Sequence, residues 1–281
     1  MALWTFFGLA HGRATSDWDG GDLRDAGQHG VQGMPRVSAQ PCAESFAACV
    51  AACPTDALRL VEVPGGAGVG VAPQPGIALD YGRCIACQRC VEACPTDTLQ
   101  ASHDWALATR TRADLRFDPQ QAPSAHDALA AELQNTIARR FRHSLHIRHV
   151  DAGSCNGCES ELQALLNPFY NLHRLGIFFT ASPRAADLLL VTGTVTEPMR
   201  EPLRAAWEAM PEPKWVMAMG ACAISGGMAR EGYAGGSGLQ GLIPVDVYLP
   251  GCAPNPAAIM HALLLLLGRS EQHLHGGRHD G

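Results

Sequence analysis

The stretch Cys84-Ile85-Ala86-Cys87-Gln88-Arg89-Cys90-Val91-Glu92-Ala93-Cys94-Pro95 places four thiols in eleven residues with the spacing C-x2-C-x2-C-x3-C-P. This spacing lets three thiolates wrap one iron–sulfur cluster while the fourth, turned away by the proline, reaches a second. A zinc ribbon separates two C-x2-C knuckles by roughly 15–20 residues, which is not the pattern here. Disulfides between cysteines this close in a short loop have poor bridging geometry.

A second, incomplete copy lies upstream. Ala48-Cys49-Val50-Ala51-Ala52-Cys53-Pro54-Thr55-Asp56-Ala57-Leu58 recurs 41 residues later as Arg89-Cys90-Val91-Glu92-Ala93-Cys94-Pro95-Thr96-Asp97-Thr98-Leu99. Two such units, each with a strand, a cluster loop and a short helix, make a pseudo-symmetric ferredoxin fold. The Gly/Pro-rich residues 64–76 form the loop between them. The crossed-ligand rule assigns Cys84, Cys87, Cys90 and Cys53 to one complete [4Fe–4S] cluster. Cys42, Cys49 and Cys94 remain for the other site. Its middle thiolate is missing and Ser45 or Phe46 stands in that place. Such a site holds [3Fe–4S], or [4Fe–4S] completed by Glu44, Ser45 or water, or is degenerate and empty; an occupied site is the favoured reading.

The last four cysteines fall in three segments: Cys155-Asn156-Gly157-Cys158-Glu159, Gly220-Ala221-Cys222 and Pro250-Gly251-Cys252-Ala253-Pro254. They need a scaffold that brings distant loops together, and the pattern from Leu145 onward supplies one. Apolar runs predict strands at Leu145–Val150, Gly176–Thr180, Asp187–Thr192, Lys214–Ala218 and Val245–Leu249. Helices are predicted at Cys158–Leu166, Glu197–Met210 and Asn255–Leu267. Short strands alternating with helices make a doubly wound α/β domain with a mostly parallel sheet. Ligands of such sheets sit beyond the carboxyl ends of the strands, where all three cysteine segments fall. Small flanking residues let backbone approach closely and offer N–H groups to sulfur. Cys155, Cys158, Cys222 and Cys252 therefore read as the ligands of a further [4Fe–4S] cluster, against the blander reading of inert buried cysteines.

The rest of the chain says less. A net charge of −6 excludes the basic footprint of a nucleic-acid binder. Met1 to Leu9 lacks the basic region and cleavage site of an export signal, and Ala257 to Leu267 is too short to span a bilayer. Eleven cysteines without an export signal point to metal ligation in a reducing cytosol. In residues 1–40, Leu3, Trp4, Phe6, Phe7 and Leu9 are costly to leave in water and read as a docking segment, or else as a loose terminus. Residues 104–112 and 125–141 are expected to be helical, the latter with a packing stripe of Leu129, Leu133, Ile137 and Phe141. Pro119 to Pro123 marks a boundary between them. His273, His275 and His279 belong to a flexible tail.

Residues 145–268 resemble the small subunit of membrane-bound, complex-I-like [NiFe] hydrogenases, above all that of formate hydrogenlyase. The resemblance rests on Val150-Asp151-Ala152-Gly153-Ser154-Cys155-Asn156-Gly157-Cys158-Glu159, on Gly220-Ala221-Cys222 and on Val245-Asp246-Val247-Tyr248-Leu249-Pro250-Gly251-Cys252. The complex I subunit with the terminal cluster has the same fold but usually adjacent cysteines at the first motif, so the separated Cys155 and Cys158 favour the hydrogenase branch. Residues 1–108 resemble the ferredoxin-like subunit of formate hydrogenlyase, which makes the chain a fusion of two neighbouring subunits. The organisation expected is a docking segment (1–40), a ferredoxin-type domain (41–108), a helical connector (109–144), a hydrogenase small-subunit-like domain (145–269) and a tail (270–281).

The resemblance implies an electron-transfer subunit of a membrane-associated hydrogenase complex, the nickel site lying on a partner large subunit. Membrane-arm subunits and other iron–sulfur subunits are the further partners, on the inner face of the cell membrane. A complex I-like subunit passing electrons to quinone is the alternative, and a free ferredoxin-like carrier a third class that the large α/β domain disfavours. Glu159 is expected near the proximal cluster, where it could pass protons; a carboxylate favoured by the helix dipole is the other reading. His149 and Arg148 could raise the cluster potential, or form a solvated pair at the strand end.

Overall fold

The computed structural model describes residues 32–38, 47–63, 74–119, 144–230, 232–270 and 272. The aromatic segment at 3–9, Cys42, Glu44, Ser45, Phe46, the helix expected at 125–141 and the tail histidines lie outside these residues.

The carboxyl-terminal domain is built on five strands: β6 (Leu145–Asp151), β7 (Ile177–Phe179), β8 (Leu188–Thr192), β9 (Trp215–Met219) and β10 (Val247–Leu249). They run parallel in the order β10-β9-β8-β6-β7. Central strands of a parallel sheet are covered on both faces and read as continuous apolar runs. In β8, Leu188 and Leu190 enter one core while Leu189 and Val191 enter the other. The first core receives the helices α3 (Gly157–Ala164) and α6 (Pro256–Leu266), which pack on each other. Every residue of α6 is buried, as expected of a helix apolar on all sides. Asn255 caps it by accepting from the Ala258 N–H at 2.8 Å, and Pro256 opens its first turn. The other core takes α4 (Glu197–Glu208) through Leu203 and α5 (Gly220–Ser225) through Ala223 and Ile224.

The amino-terminal domain has two small antiparallel sheets. One pairs β1 (Arg36–Val37) with β4 (Leu99–Gln100). The other has the order β2-β3-β5, formed by Leu58–Val63, Gln74–Asp80 and Arg116–Phe117. Helices α1 (Ala47–Ala51) and α2 (Arg89–Glu92) lie against each other. The internal repeat is visible in the backbone. Cys53 N–H and Cys94 N–H each bond back three residues, to Val50 and Val91, and Asp56 and Asp97 share left-handed φ values of 48° and 50°.

The helix expected over residues 104–112 does not form. Trp105, Ala106 and Ala108 enter one core while Leu107 enters the other. An extended backbone can bury side chains on two sides at once, and packing overrides helix propensity here. The same stretch joins the large sheet: Thr109 exchanges backbone hydrogen bonds with Tyr248 at 2.8 and 2.9 Å, antiparallel to β10. Residues 116–117 then pair with β3. The described part of the 109–144 connector therefore has no α-helix: it runs from the Thr109 bridge through a single 3-10 turn (Ala113–Leu115) to the strand at 116–117, and belongs to both domains. Arg112 completes the junction with a two-pronged contact to Asp80, both distances 2.7 Å.

Candidate iron–sulfur sites

Cys84 leaves β3 through a tight turn, in which the Gly82 N–H donates to Asp80 Oδ1 at 2.9 Å and the Cys84 N–H to the Tyr81 carbonyl at 3.2 Å. Ala86 and Gln88, on either side of Cys87, take left-handed φ values of 54° and 63°. These reversals coil the loop, and Gln88 ties it down by donating to the Gly33 carbonyl at 2.7 Å. Cys90 sits on α2. Cys53 arrives from the other half, and one cavity is lined by Cys53, Cys84, Cys87 and Cys90 together. Backbone N–H groups already aim at these sulfurs: Ala57 at Cys53 over 3.2 Å, and Ala86 at Cys84 over 3.4 Å.

The companion site is described in part. Cys49 is fully buried, with its thiol 3.7 Å from the Ala93 carbonyl. Cys94 accepts from the Leu99 N–H at 3.3 Å and stands 3.9 Å from the Thr96 hydroxyl. Burial works against ionising Cys94, but the Leu99 and Thr96 hydrogen bonds outweigh it and hold the thiol below its ordinary range.

The third set is gathered at the carboxyl edge of the parallel sheet. After β6, Asp151 Oδ1 accepts from the N–H groups of Gly153 and Ser154 at 2.9 and 2.8 Å, shaping the turn that presents Cys155. Cys158 lies in the first turn of α3, and Cys222 on α5 directly after β9. Cys252 follows β10, and the Ala221 N–H donates to the Gly251 carbonyl at 2.8 Å to join those two loops. Glycine is needed at Gly220, whose φ is +87° and where a Cβ would stand 3.0 Å from the Cys158 sulfur. A Cβ at Gly227 would stand 2.8 Å from the Cys222 sulfur. Cys155 and Cys252 are exposed, so the set opens to the surface.

The electrostatics of both four-thiol sets ask for positive charge. Burial first, and then the neighbouring thiols, push Cys84 up to about 12, and push Cys90 and Cys222 up to about 11. Burial also raises Cys158, with Glu159 and the other three cysteines adding to it. Four thiolates cannot coexist there unless metal cations balance them. Among the described residues no group of three or more His, Cys, Asp or Glu is disposed to hold a single metal ion. A cubane asks for something else, because each of its thiolates ligates a different corner iron and stands farther from its neighbours. Thiol donors, N–H groups aimed at sulfur and close glycine approach fit such a cluster.

Comparison with known proteins agrees with this geometry. A family model described as NADH ubiquinone oxidoreductase, 20 Kd subunit, matches residues 155–266, and one for a 4Fe-4S dicluster domain matches residues 41–98. Over 128 residues the chain is 44% identical to the probable membrane-bound hydrogenase subunit mbhJ of Pyrococcus furiosus, covering 46% of this chain and 77% of that protein. The chain belongs to the NADH ubiquinone oxidoreductase 20 Kd subunit family. It is also 46% identical over 123 residues to an uncharacterized protein of Methanocaldococcus jannaschii, covering 44% of this chain and 82% of that one. Formate hydrogenlyase subunit 7 of Escherichia coli is 41% identical over 153 residues, covering 54% of this chain. The chain spans 60% of that relative's length. The expected join of a ferredoxin-like part to a hydrogenase-type 20 Kd part is thus what the two models and these relatives support.

In this 20 Kd-subunit family member, Glu159 is more than a charge at a helix start. Ser154 donates to its carboxylate at 2.7 Å, and the Thr192 hydroxyl donates to its other oxygen. His149 Nε2 lies 2.9 Å from the Thr192 hydroxyl and 3.5 Å from Glu159. With the hydroxyl proton given to Glu159, Thr192 accepts from His149. Burial lowers the His149 pKa, and the Glu159 charge partly restores it. Arg148 projects to the other side of β6, since alternate strand residues face opposite ways; its Nε is buried with no hydrogen-bond partner. Thr192 carries no sequence signal, because strand register alone brings it opposite Asp151; Ser154 meets Glu159 locally, five residues before it.

Proposed function

We propose that this chain is the electron-transfer subunit of a membrane-associated hydrogenase complex of the formate hydrogenlyase type. Cys53, Cys84, Cys87 and Cys90 hold one [4Fe–4S] cluster, and Cys155, Cys158, Cys222 and Cys252 hold a second, proximal to the catalytic partner. Cys42, Cys49 and Cys94 hold a third, either [3Fe–4S] or [4Fe–4S] with a non-cysteine ligand. When bound, such clusters supply reversible one-electron chemistry. The observation that carries the reading is the presence of two four-thiol sets in one chain, on domains stitched together by residues 105–117.

The chain's own residues do the tuning. N–H groups of Ala57 and Ala86 stabilise negative charge on the sulfurs they approach, which favours the reduced state. Ser154 and Thr192 orient Glu159 beside Cys158, where it can hold or pass a proton. Each cysteine has a place in this scheme, so the nickel–iron site belongs to a partner large subunit. Among the described residues no helix is long and apolar enough to cross a membrane; partner subunits hold the chain at the inner face.

The family model's description favours a second reading, in which electrons pass to a quinone. Anaerobic purification with the large subunit tests both. The hydrogenase reading expects about 11–12 iron atoms per chain from these ligand sets, and bleaching of the clusters by hydrogen gas. Iron near four per chain (~4, one cubane) removes the ferredoxin-type half of the proposal. Reduction by quinol without any response to hydrogen selects the quinone reading.

A further inference from the structure

The cluster assignment above leaves open what sets the spacing between the two domains' thiolates. We infer that Arg230 is a positioning residue that locks the Cys222 loop to the Cys53 loop, and so, beside the 105–117 junction, sets how the two four-thiol sets stand to each other. This inference rests on that assignment and deepens it.

Arg230 leaves the turn Gly227–Ala229 that follows α5, the helix carrying Cys222. The turn is held to that helix by the Gly226 N–H, which donates to the Cys222 carbonyl at 2.8 Å. Glycine at 226 makes room for Arg230, since a Cβ there would stand 2.7 Å from the Arg230 Cβ. The guanidinium crosses to the other domain, where Nη1 donates to the Thr55 carbonyl at 3.1 Å and Nη2 pairs with the Asp56 carboxylate. Its side chain keeps only 18% of its exposure. A planar fork held by a carbonyl and a carboxylate together resists rotation in a way that one exposed ion pair does not.

The gripped residues belong to the turn Cys53-Pro54-Thr55-Asp56-Ala57, and that turn serves the sulfur of Cys53. The Ala57 N–H donates to it at 3.2 Å and the Thr55 hydroxyl stands 3.7 Å away. Arg230 therefore holds one candidate ligand loop through the chain and the other through its guanidinium. The repeated turn in the second half is held differently: its Asp97 carbonyl accepts from the Ser38 hydroxyl at 3.0 Å. Of the two turns that deliver crossed thiols, the carboxyl-terminal domain grips through Arg230 the one that delivers Cys53.

The test uses the intact, iron-loaded complex, with Arg230→Gln, Arg230→Lys and Asp56→Asn. Asparagine tolerates the left-handed conformation of Asp56, so that variant removes charge without straining the turn. Iron content and the separate spectra of the two clusters should stay as in the unaltered protein. The magnetic splitting between the reduced clusters should shift in Arg230→Gln and shift less in Arg230→Lys and Asp56→Asn. Amide exchange at 55–58 should speed up in the same order. Unchanged splitting in both Arg230→Gln and Asp56→Asn overturns the inference. Loss of iron in Arg230→Gln overturns it too, because Arg230 is then a folding residue. Absence of either cluster from the unaltered chain overturns the assignment itself, and this inference with it.

Discussion

Cys252 shows how tightly a ligand position can be specified by its neighbours. Gly251, with φ at +140°, precedes it, and a Cβ there would stand 2.7 Å from the Pro254 Cα. Pro250 and Pro254 limit the backbone without needing local hydrogen bonds. Replacing Cys252 by serine keeps this shape but offers iron a hard, weakly acidic hydroxyl in place of a soft thiolate. Cys252→Ser should lose or convert the proximal cluster and leave the spectrum of the Cys84–Cys94 clusters intact. Hydrogen turnover by the assembled complex should collapse with it. A full set of clusters and full activity in this variant would remove the four-cysteine site. Cysteines of this kind are legible in sequence because spacing and flanking glycine or proline survive without a fold. The Thr192 partner of Glu159 is not legible: it meets Glu159 and His149 only once β6 and β8 are in register.

The five strands of the carboxyl-terminal domain are legible as apolar runs, because a buried parallel sheet leaves little room for other residues; the short helix α5 (Gly220–Ser225), which carries Cys222, is not among the expected elements. The observed β8, Leu188–Thr192, falls within the expected Asp187–Thr192, and α6, Pro256–Leu266, within Asn255–Leu267. Residues 104–112 misled because Trp105, Ala106, Leu107 and Ala108 are individually compatible with a helix. What decides their conformation is a second core on the far side of the chain, which no local window contains. Helix α6 gives the matching stability test. Leu263 has no exposed surface and packs against β-strand side chains in a core shared with Trp105. Leu263→Ala should cost about 2–5 kcal/mol, the range for a buried leucine that leaves a cavity. Chemical denaturation of the iron-loaded chain measures it. A cost near that of an exposed site would mean that α6 is not the centre of this domain.

The two domains share one core, and their candidate ligands are part of it: Cys49, Cys84 and Cys90 pack in the same apolar cluster as Leu189 and Val191 of the large sheet. Ligand ionisation is therefore tied to the stability of the fold. Burial raises Cys84 from an ordinary 9.0 to about 12, and raises Cys90 and Cys222 to about 11. Between those limits the folded, iron-free chain keeps protons that the unfolded chain releases, so its stability falls as pH rises. The contribution is intact below the ordinary thiol value and is lost through the raised ones. Cys94 is shifted the other way and adds the opposite slope below 9.0. The net decline therefore begins above that value. In the iron-loaded chain these sulfurs are already thiolates balanced by metal, and metal binding has released their protons. The thermal midpoint of chelator-treated protein should drop from about pH 9 to about pH 10.5 while that of reconstituted protein holds. Iron uptake by the stripped chain should release protons near neutral pH and become more complete as pH rises. Parallel curves for the two forms would show that these thiols do not share the fold's core.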